Sequence, residues 1–184
     1  MNFEKIKDRI AFKLVNRKKT VYKLEEIPHT DYLDLAYVYY VVLYMDEGGV
    51  DTVIVKNEYL DEWGISDKEL FEIARQNFST LFKMQLFGVM SPEQMIMVTT
   101  KYKMFGAVYM TETGLTESLA DLYDDDICII PSSIHEIIML PAGNILKENV
   151  DEIIRSVNKE AVNEDEYLSD HMYLYSRKEG KVIC

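Results

Sequence analysis

Two hydrophobic patterns recur along this chain: the three- to four-residue spacing of amphipathic helices, and dense β-branched runs typical of strands. Asp and Lys lie between the apolar positions of the helical segments. The helical pattern predicts helices from Phe3 to about Asn16, from Ser66 to about Lys83, over 115–123 and from Asn149 to Ala161. The strand pattern predicts strands over 33–45, 52–55, 95–100, 106–110, 127–130, 137–140, 173–175 and 182–183.

Hairpins therefore alternate with helices along the sequence. This order predicts an α+β fold with a largely antiparallel sheet, not a doubly wound parallel one. The chain is long enough for one good core, so we expect a single globular domain over 1–184.

Two of the predicted helices have recognisable starts. Ser66 precedes Glu69 by three residues, which is the spacing of a capping box. Asn149 precedes Glu152 in the same way at the start of the last helix. The apolar stripe of that last helix is expected to be buried, and it consists of Val150, Ile153, Ile154, Val157 and Ala161.

Composition narrows the possible partners. The chain has 32 acidic and 20 basic residues, a formal charge of -12, which disfavours nucleic acid and anionic membrane surfaces. A basic run over 17–19 is expected to be a solvated face.

Cysteine content and the amino terminus bear on the cellular compartment. Cys128 and Cys184 have neither the number nor the spacing of a disulfide framework or a zinc site. The amino terminus has no uninterrupted apolar region like that of a secretory signal, and the longest apolar run, 35–45, is too short to span a bilayer. A soluble, cytoplasmic protein is the expectation.

The segment over 126–141, DICIIPSSIHEIIMLP, concentrates the candidate chemistry. Its predicted corner gathers Ser132, Ser133, His135 and Glu136 between two isoleucine-rich strands. One interpretation is a hydrolase in which Ser132 or Ser133 is the nucleophile, His135 the base and Asp170 the orienting acid. The other is a turn held by local polar bonds, and it is favoured because no glycine between Gly114 and Gly143 could form a nucleophile elbow.

Other candidate sites are weaker. The zinc-protease motif is excluded because Met139 stands four residues after His135, where a second histidine is required. His171 and Asp170 could join His135 in space, but isolated histidines are more often structural, and no metal or cofactor is expected. The aromatic residues over 169–175 fit an edge strand better than a ligand groove, and the acidic run over 124–126 fits a solvated loop better than a cation site.

Several segments together are similar to an uncharacterised bacterial family known only as a domain of unknown function. They are IKDRIAFKLVN (6–16), IPHTDYLDLAYVYY (27–40), WGIS (63–66), IIPSSIHEIIMLP (129–141) and LSDHMYLYSR (168–177), and they cover nearly the whole chain. The resemblance implies a soluble bacterial protein. Longer members of the family carry additional amino-terminal sequence. It assigns no catalytic residue, because the family has no established activity.

These observations predict a non-catalytic binding or protein-interaction module, with the hydrolase and a small-ligand sensor as alternatives. Candidate binding residues are Ser132, Ser133, His135, Glu136, Asp170 and His171. A partner protein, or a second copy of the chain, would use an exposed strand edge or the tyrosine-rich stretch over 35–45.

Overall fold

The computed structural model describes residues 1–46, 48–88, 95–145 and 150–184. The chain forms two compact units, Met1–Lys83 and Met84–Cys184. In the described part of the chain no helix has both the length and the apolar character needed to cross a membrane.

Where the structure describes it, the first unit contains three α-helices and four strands. In chain order they are α1 (Phe3–Ile6), β1 (Ile10–Asn16), β2 (His29–Tyr32), β3 (Leu35–Asp46), β4 (Gly49–Ile54), α2 (Asn57–Trp63) and α3 (Asp67–Leu81). Short 3₁₀ turns occupy Lys7–Arg9 and Leu24–Glu26.

Strand β3 organises the sheet of the first unit. It pairs antiparallel with β1 on one side and with β2 and β4 on the other. Helix α3 packs on β1 through an aromatic cluster in which Phe12 lies 5.4 Å from Phe78 and 5.8 Å from Phe71, between ring centroids. The predicted capping box is present, because Ser66 Oγ accepts from the Glu69 amide and the Glu69 carboxylate accepts from the Ser66 amide.

The prediction of one helix from Phe3 to Asn16 is wrong. Only Phe3–Ile6 is α-helical, and Ile10–Asn16 is strand β1, paired with β3 over its full length. Ile10 and Leu14 fit the helical pattern, but together with Phe12 they are also spaced by two, and pairing with β3 buries all three on the sheet. The segment 57–64, for which the sequence pattern predicts neither helix nor strand, is largely helix α2.

The tyrosine-rich stretch forms the predicted long strand, which is buried over its first eight residues, whereas Leu43 and Tyr44 near its end are 48% and 58% exposed. Tyr37, Tyr39 and Tyr40 are all buried in β3. Burial raises the pKa of the Tyr39 phenol to about 12, while a hydrogen bond with Thr30 opposes that shift.

The described residues of the second unit form six strands and two α-helices. In chain order they are β5 (Met84–Phe87), β6 (Ile96–Thr100), α4 (Thr113–Tyr123), β7 (Ile127–Ser133), β8 (Glu136–Pro141), α5 (Val150–Ala161), β9 (Tyr173–Ser176) and β10 (Lys181–Ile183). The strands form one sheet in the order β10-β9-β7-β8-β6-β5, and every pairing is antiparallel.

The predicted α+β class with antiparallel sheets and several helices is confirmed. The central hairpin over 127–130 and 137–140 is also confirmed, with an irregular register between Pro131 and Ser133. The strand predicted over 106–110 is wrong, because Gly106–Thr111 is a 3₁₀ helix that is buried almost throughout. The start predicted at Asn149 lies outside the described residues.

The acidic run after α4 is tied into the second unit. Asp124 accepts a hydrogen bond from the Arg177 guanidinium at 2.6 Å, and Asp126 accepts from the Arg177 amide at 2.9 Å. Asp125 accepts from the Gly143 amide at 2.7 Å. These carboxylates therefore connect the end of α4 to the segments after β8 and β9. The acidic run thus makes structural hydrogen bonds in addition to contacting solvent.

Candidate functional site

The corner between β7 and β8 is held by side-chain hydrogen bonds that stay within it. The Ser132 hydroxyl donates to Glu136 Oε1 at 3.1 Å. Ser133 Oγ accepts from the backbone amide of His135 at 3.0 Å. Both serines therefore use their hydroxyls in the turn, as expected for Ser residues that compete with ladder hydrogen bonds.

The backbone of the corner is docked onto two other segments. The His135 carbonyl accepts from the Gly106 amide at 3.0 Å and from Thr99 Oγ1 at 2.8 Å. The Ile134 amide donates to the Glu166 carbonyl at 2.9 Å. This contact leaves no room for a side chain at position 106, where a Cβ would lie 2.6 Å from the His135 carbonyl oxygen and 2.5 Å from Thr99 Cα.

The His135 ring is oriented by its two nitrogens. Nδ1 accepts a hydrogen bond from the Phe105 amide at 3.1 Å, so the neutral ring carries its proton on Nε2. Nε2 lies 3.5 Å from Glu166 Oε1, so Glu166 is the acidic side chain beside this nitrogen. Phe105 itself has a left-handed backbone, with φ of 59°, and such a conformation costs a non-glycine residue about 1–2 kcal/mol. The bond to His135 helps to hold it.

This geometry bears on the hydrolase interpretation. Ser133 Oγ contacts the main chain of His135, and the ring nitrogen that would act as base receives a backbone amide. The acid beside Nε2 is Glu166, a residue that the sequence analysis did not single out. The arrangement therefore orients the imidazole toward Phe105 and Glu166.

The structure places Asp170 and His171 in a different set of contacts. Asp170 Oδ1 lies 3.5 Å from the side-chain nitrogen of Asn158 in α5. The His171 ring contacts the Met172 carbonyl through Nδ1 at 2.9 Å and packs against Tyr173 at 4.7 Å between ring centroids. Both residues thus support the segment that leads into β9.

A groove lies between α5 and the β7–β8 hairpin. Its volume is about 420 Å³, and eight of its eleven described lining residues are apolar. The sheet wall of the groove continues an apolar cluster in which Ile130, Ile138 and Ile145 pack against buried Cys128 and Leu140. The described lining consists of Ile130, Pro131, Ser132, Ile138, Asn144, Ile145, Val150, Ile153, Ile154, Val157 and Asn158.

Helix α5 does not bury its apolar stripe as the sequence predicts. Ile154 is buried, but the side chains of Ile153 and Val157 are 60% and 50% exposed and line the groove. The burial predicted for these two residues and for Ala161, which is exposed, is therefore wrong. A helix with so pronounced an apolar face normally covers that face, so the uncovered part marks the groove as a candidate binding site.

Sequence reasoning found one wall of this groove and missed the other. Ser132, a predicted candidate, lines it, whereas the apolar residues of α5 were assigned to helix packing and Asn158 was not singled out. Their spacing is that of any amphipathic helix, so the sequence held no signal that separates a covered stripe from an open one.

The comparisons with known proteins agree with the resemblance found in the sequence. No curated protein and no solved structure matches this chain. A family of unknown function, DUF5688, matches residues 1–92 and 87–177, which together span most of the chain. The chain therefore belongs to the family of unknown function DUF5688.

Proposed function

We propose that this protein is a non-catalytic binding module and that its ligand occupies the groove between α5 and the β7–β8 hairpin. The observation that carries the proposal is the exposed apolar face of α5, where Ile153 and Val157 face an equally apolar sheet wall across open space. Leaving such surface in water is unfavourable, by about 25 cal/mol for each Å². A ligand that covers it would recover that free energy.

The size and chemistry of the groove fit a small apolar molecule. Pockets for such ligands usually have volumes of about 300–1,000 Å³, walls of hydrophobic residues and a few polar groups that fix orientation. The groove has a volume of about 420 Å³, and its polar lining residues are Ser132, Asn144 and Asn158.

The hydrogen bonds of the corner favour binding over hydrolysis. A serine nucleophile needs a base within hydrogen-bond distance of its hydroxyl. The predicted base is the His135 ring, and neither serine hydroxyl contacts it: the Ser132 hydroxyl donates to Glu136, and the Ser133 hydroxyl accepts from the main-chain amide of His135. An activity-based serine probe is therefore expected to label neither residue, and labelling that disappears in Ser132→Ala or Ser133→Ala would support the hydrolase instead.

The binding proposal can be tested with a neutral apolar probe such as cyclohexylmethanol. Wild-type protein is expected to bind the probe in a calorimetric titration and to gain thermal stability with it. The double variant Ile153→Ser/Val157→Ser should lose that binding, while its own stability stays close to wild type because both side chains are at least half exposed.

A matched control is Leu122→Ser. Leu122 is 57% exposed on α4 of the same unit and does not line the groove, so this variant should bind the probe as wild type does. Absence of binding to wild type, or equal binding to the double variant, would contradict the proposal.

A further inference from the structure

Two polar side chains that line the groove can accept hydrogen bonds from a ligand, and Asn158 is the first of them. Its side-chain nitrogen donates to the Ser169 carbonyl at 2.7 Å and lies 3.5 Å from Asp170 Oδ1. These two acceptors fix the orientation of the amide. The polar atom that Asn158 can offer to the groove is therefore its oxygen, an acceptor.

Ser132, on the opposite wall of the groove, can also accept a hydrogen bond from a ligand. Its hydroxyl proton is directed to Glu136 Oε1, so the lone pairs of Oγ remain for a ligand. Both of these polar groups thus accept hydrogen bonds, and the third polar lining residue, Asn144, is exposed.

The charges around these two acceptors are negative. Glu136 lies directly behind Ser132 and Asp170 directly behind Asn158, each within 3.5 Å of the polar group it supports. Among the described lining residues none is Lys, Arg or His. The first turn of α5 carries Asp151 and Glu152, which offset the positive helix end. Arg155 and Lys159 on the same helix are exposed and do not line the groove.

From this chemistry we infer that the groove selects an apolar molecule with a hydrogen-bond-donating head, and that the best ligand is an apolar primary amine in its protonated form. The inference rests on the proposed binding function and adds the ligand class to it. An ammonium group has three donors and no acceptor, so its hydrogen-bonding character matches the acceptors Ser132 Oγ and Asn158 Oδ1. A carboxylate on the same apolar skeleton would meet two acceptors and two acidic side chains.

The test uses three probes with one skeleton: cyclohexylmethylamine, cyclohexylmethanol and cyclohexanecarboxylate, each titrated into the full chain at neutral pH. The amine is expected to bind at least about tenfold more tightly than the carboxylate, with the alcohol between them, because hydrogen bonds to charged groups are the stronger ones. Raising the salt concentration should narrow the difference, since part of it is a charge effect.

Two protein variants distinguish the contribution of the ligand's head group to binding from that of its apolar skeleton. Ser132→Ala should weaken binding of the amine by about five- to tenfold and leave binding of the carboxylate unchanged. Ser118→Ala is the control, because Ser118 lies on the exposed face of α4, where its hydroxyl donates to the Gly114 carbonyl.

The outcomes distinguish the two claims. Equal affinity for amine and carboxylate, or tighter binding of the carboxylate, would overturn the inference about the head group while the apolar binding site stands. Preference for the amine that survives Ser132→Ala without change would also overturn it. Binding of none of the three probes would overturn the proposed function together with the inference.

Discussion

Replacing Gly106 by alanine tests how tightly the β7–β8 corner is docked. The added Cβ would lie 2.5 Å from Thr99 Cα and 2.6 Å from the His135 carbonyl oxygen, whereas carbon atoms in contact are about 3.5–4.0 Å apart. Both obstructing atoms belong to the main chain, so a side-chain rotation cannot relieve the clash. The corner would have to move away from the Thr99 segment.

The cost has two parts. Overpacking in a closed interior destabilises by about 1–3 kcal/mol. Moving the corner also weakens the hydrogen bonds that the His135 carbonyl accepts from Gly106 and Thr99, each worth about 0.5–1.5 kcal/mol. We therefore expect Gly106→Ala to lower the free energy of unfolding by about 3 kcal/mol or more, measured by urea denaturation followed by circular dichroism.

The control for this prediction is Gly114→Ala. Gly114 lies in the first turn of α4 and has no atom within 4 Å of a built Cβ, so alanine should leave stability unchanged or raise it by about 0.5–1 kcal/mol. Thr99→Val supplies a milder change, because it removes only one hydrogen bond to the His135 carbonyl, and should cost about 1 kcal/mol. A Gly106→Ala protein as stable as wild type would refute the close docking of the corner.

Three further predictions concern the first unit. Ser66→Ala should lower stability by about 1 kcal/mol through loss of the helix cap, measured by urea unfolding with Trp63 fluorescence; no change would count against the capping box. Asn77→Asp should cost about 2–3 kcal/mol, because Asn77 donates to the Lys7 and Ile10 carbonyls, whereas Gln76→Glu on the exposed face adds the same charge with little effect. Tyr39, whose pKa burial raises to about 12, should contribute stability below pH about 10 that is lost as the pH rises toward 12; ultraviolet titration would contradict this if all tyrosines ionised together near pH 10.

The sequence predicted correctly those elements that are determined by residues close together in the chain. The capping box at Ser66 set the start of α3, and the two isoleucine-rich runs around 131–136 gave the central hairpin. The segment Ile10–Asn16 was assigned wrongly because its apolar residues fit both periods, and pairing with β3 decided between them. The segment that begins at Gly106 was assigned wrongly to a strand. Its 3₁₀ helix packs closely against Thr99, and this contact depends on tertiary structure that the local sequence does not reveal.

The candidate site was predicted only in part. The sequence directed attention to Ser132, which lines the groove, but the partners of the neighbouring His135 are Phe105 and Glu166, each about 30 residues away in the chain. Such pairings leave no trace in spacing or composition. The sequence also could not show that part of the apolar face of α5 is open. The spacing of apolar residues along an amphipathic helix is the same whether a neighbouring element or a ligand covers them.

If the open apolar groove beside α5 is a binding site, a ligand should change the environment of the isoleucine methyl groups that line it. Methyl-resolved NMR of isoleucine-labelled protein, titrated with cyclohexylmethylamine, measures this change. We expect the shifts of Ile130, Ile138, Ile145, Ile153 and Ile154 to move, while those of Ile10 and Ile27 in the core of the first unit stay fixed. Titration that leaves the five groove methyls unmoved, or that moves methyl groups elsewhere instead, would contradict it.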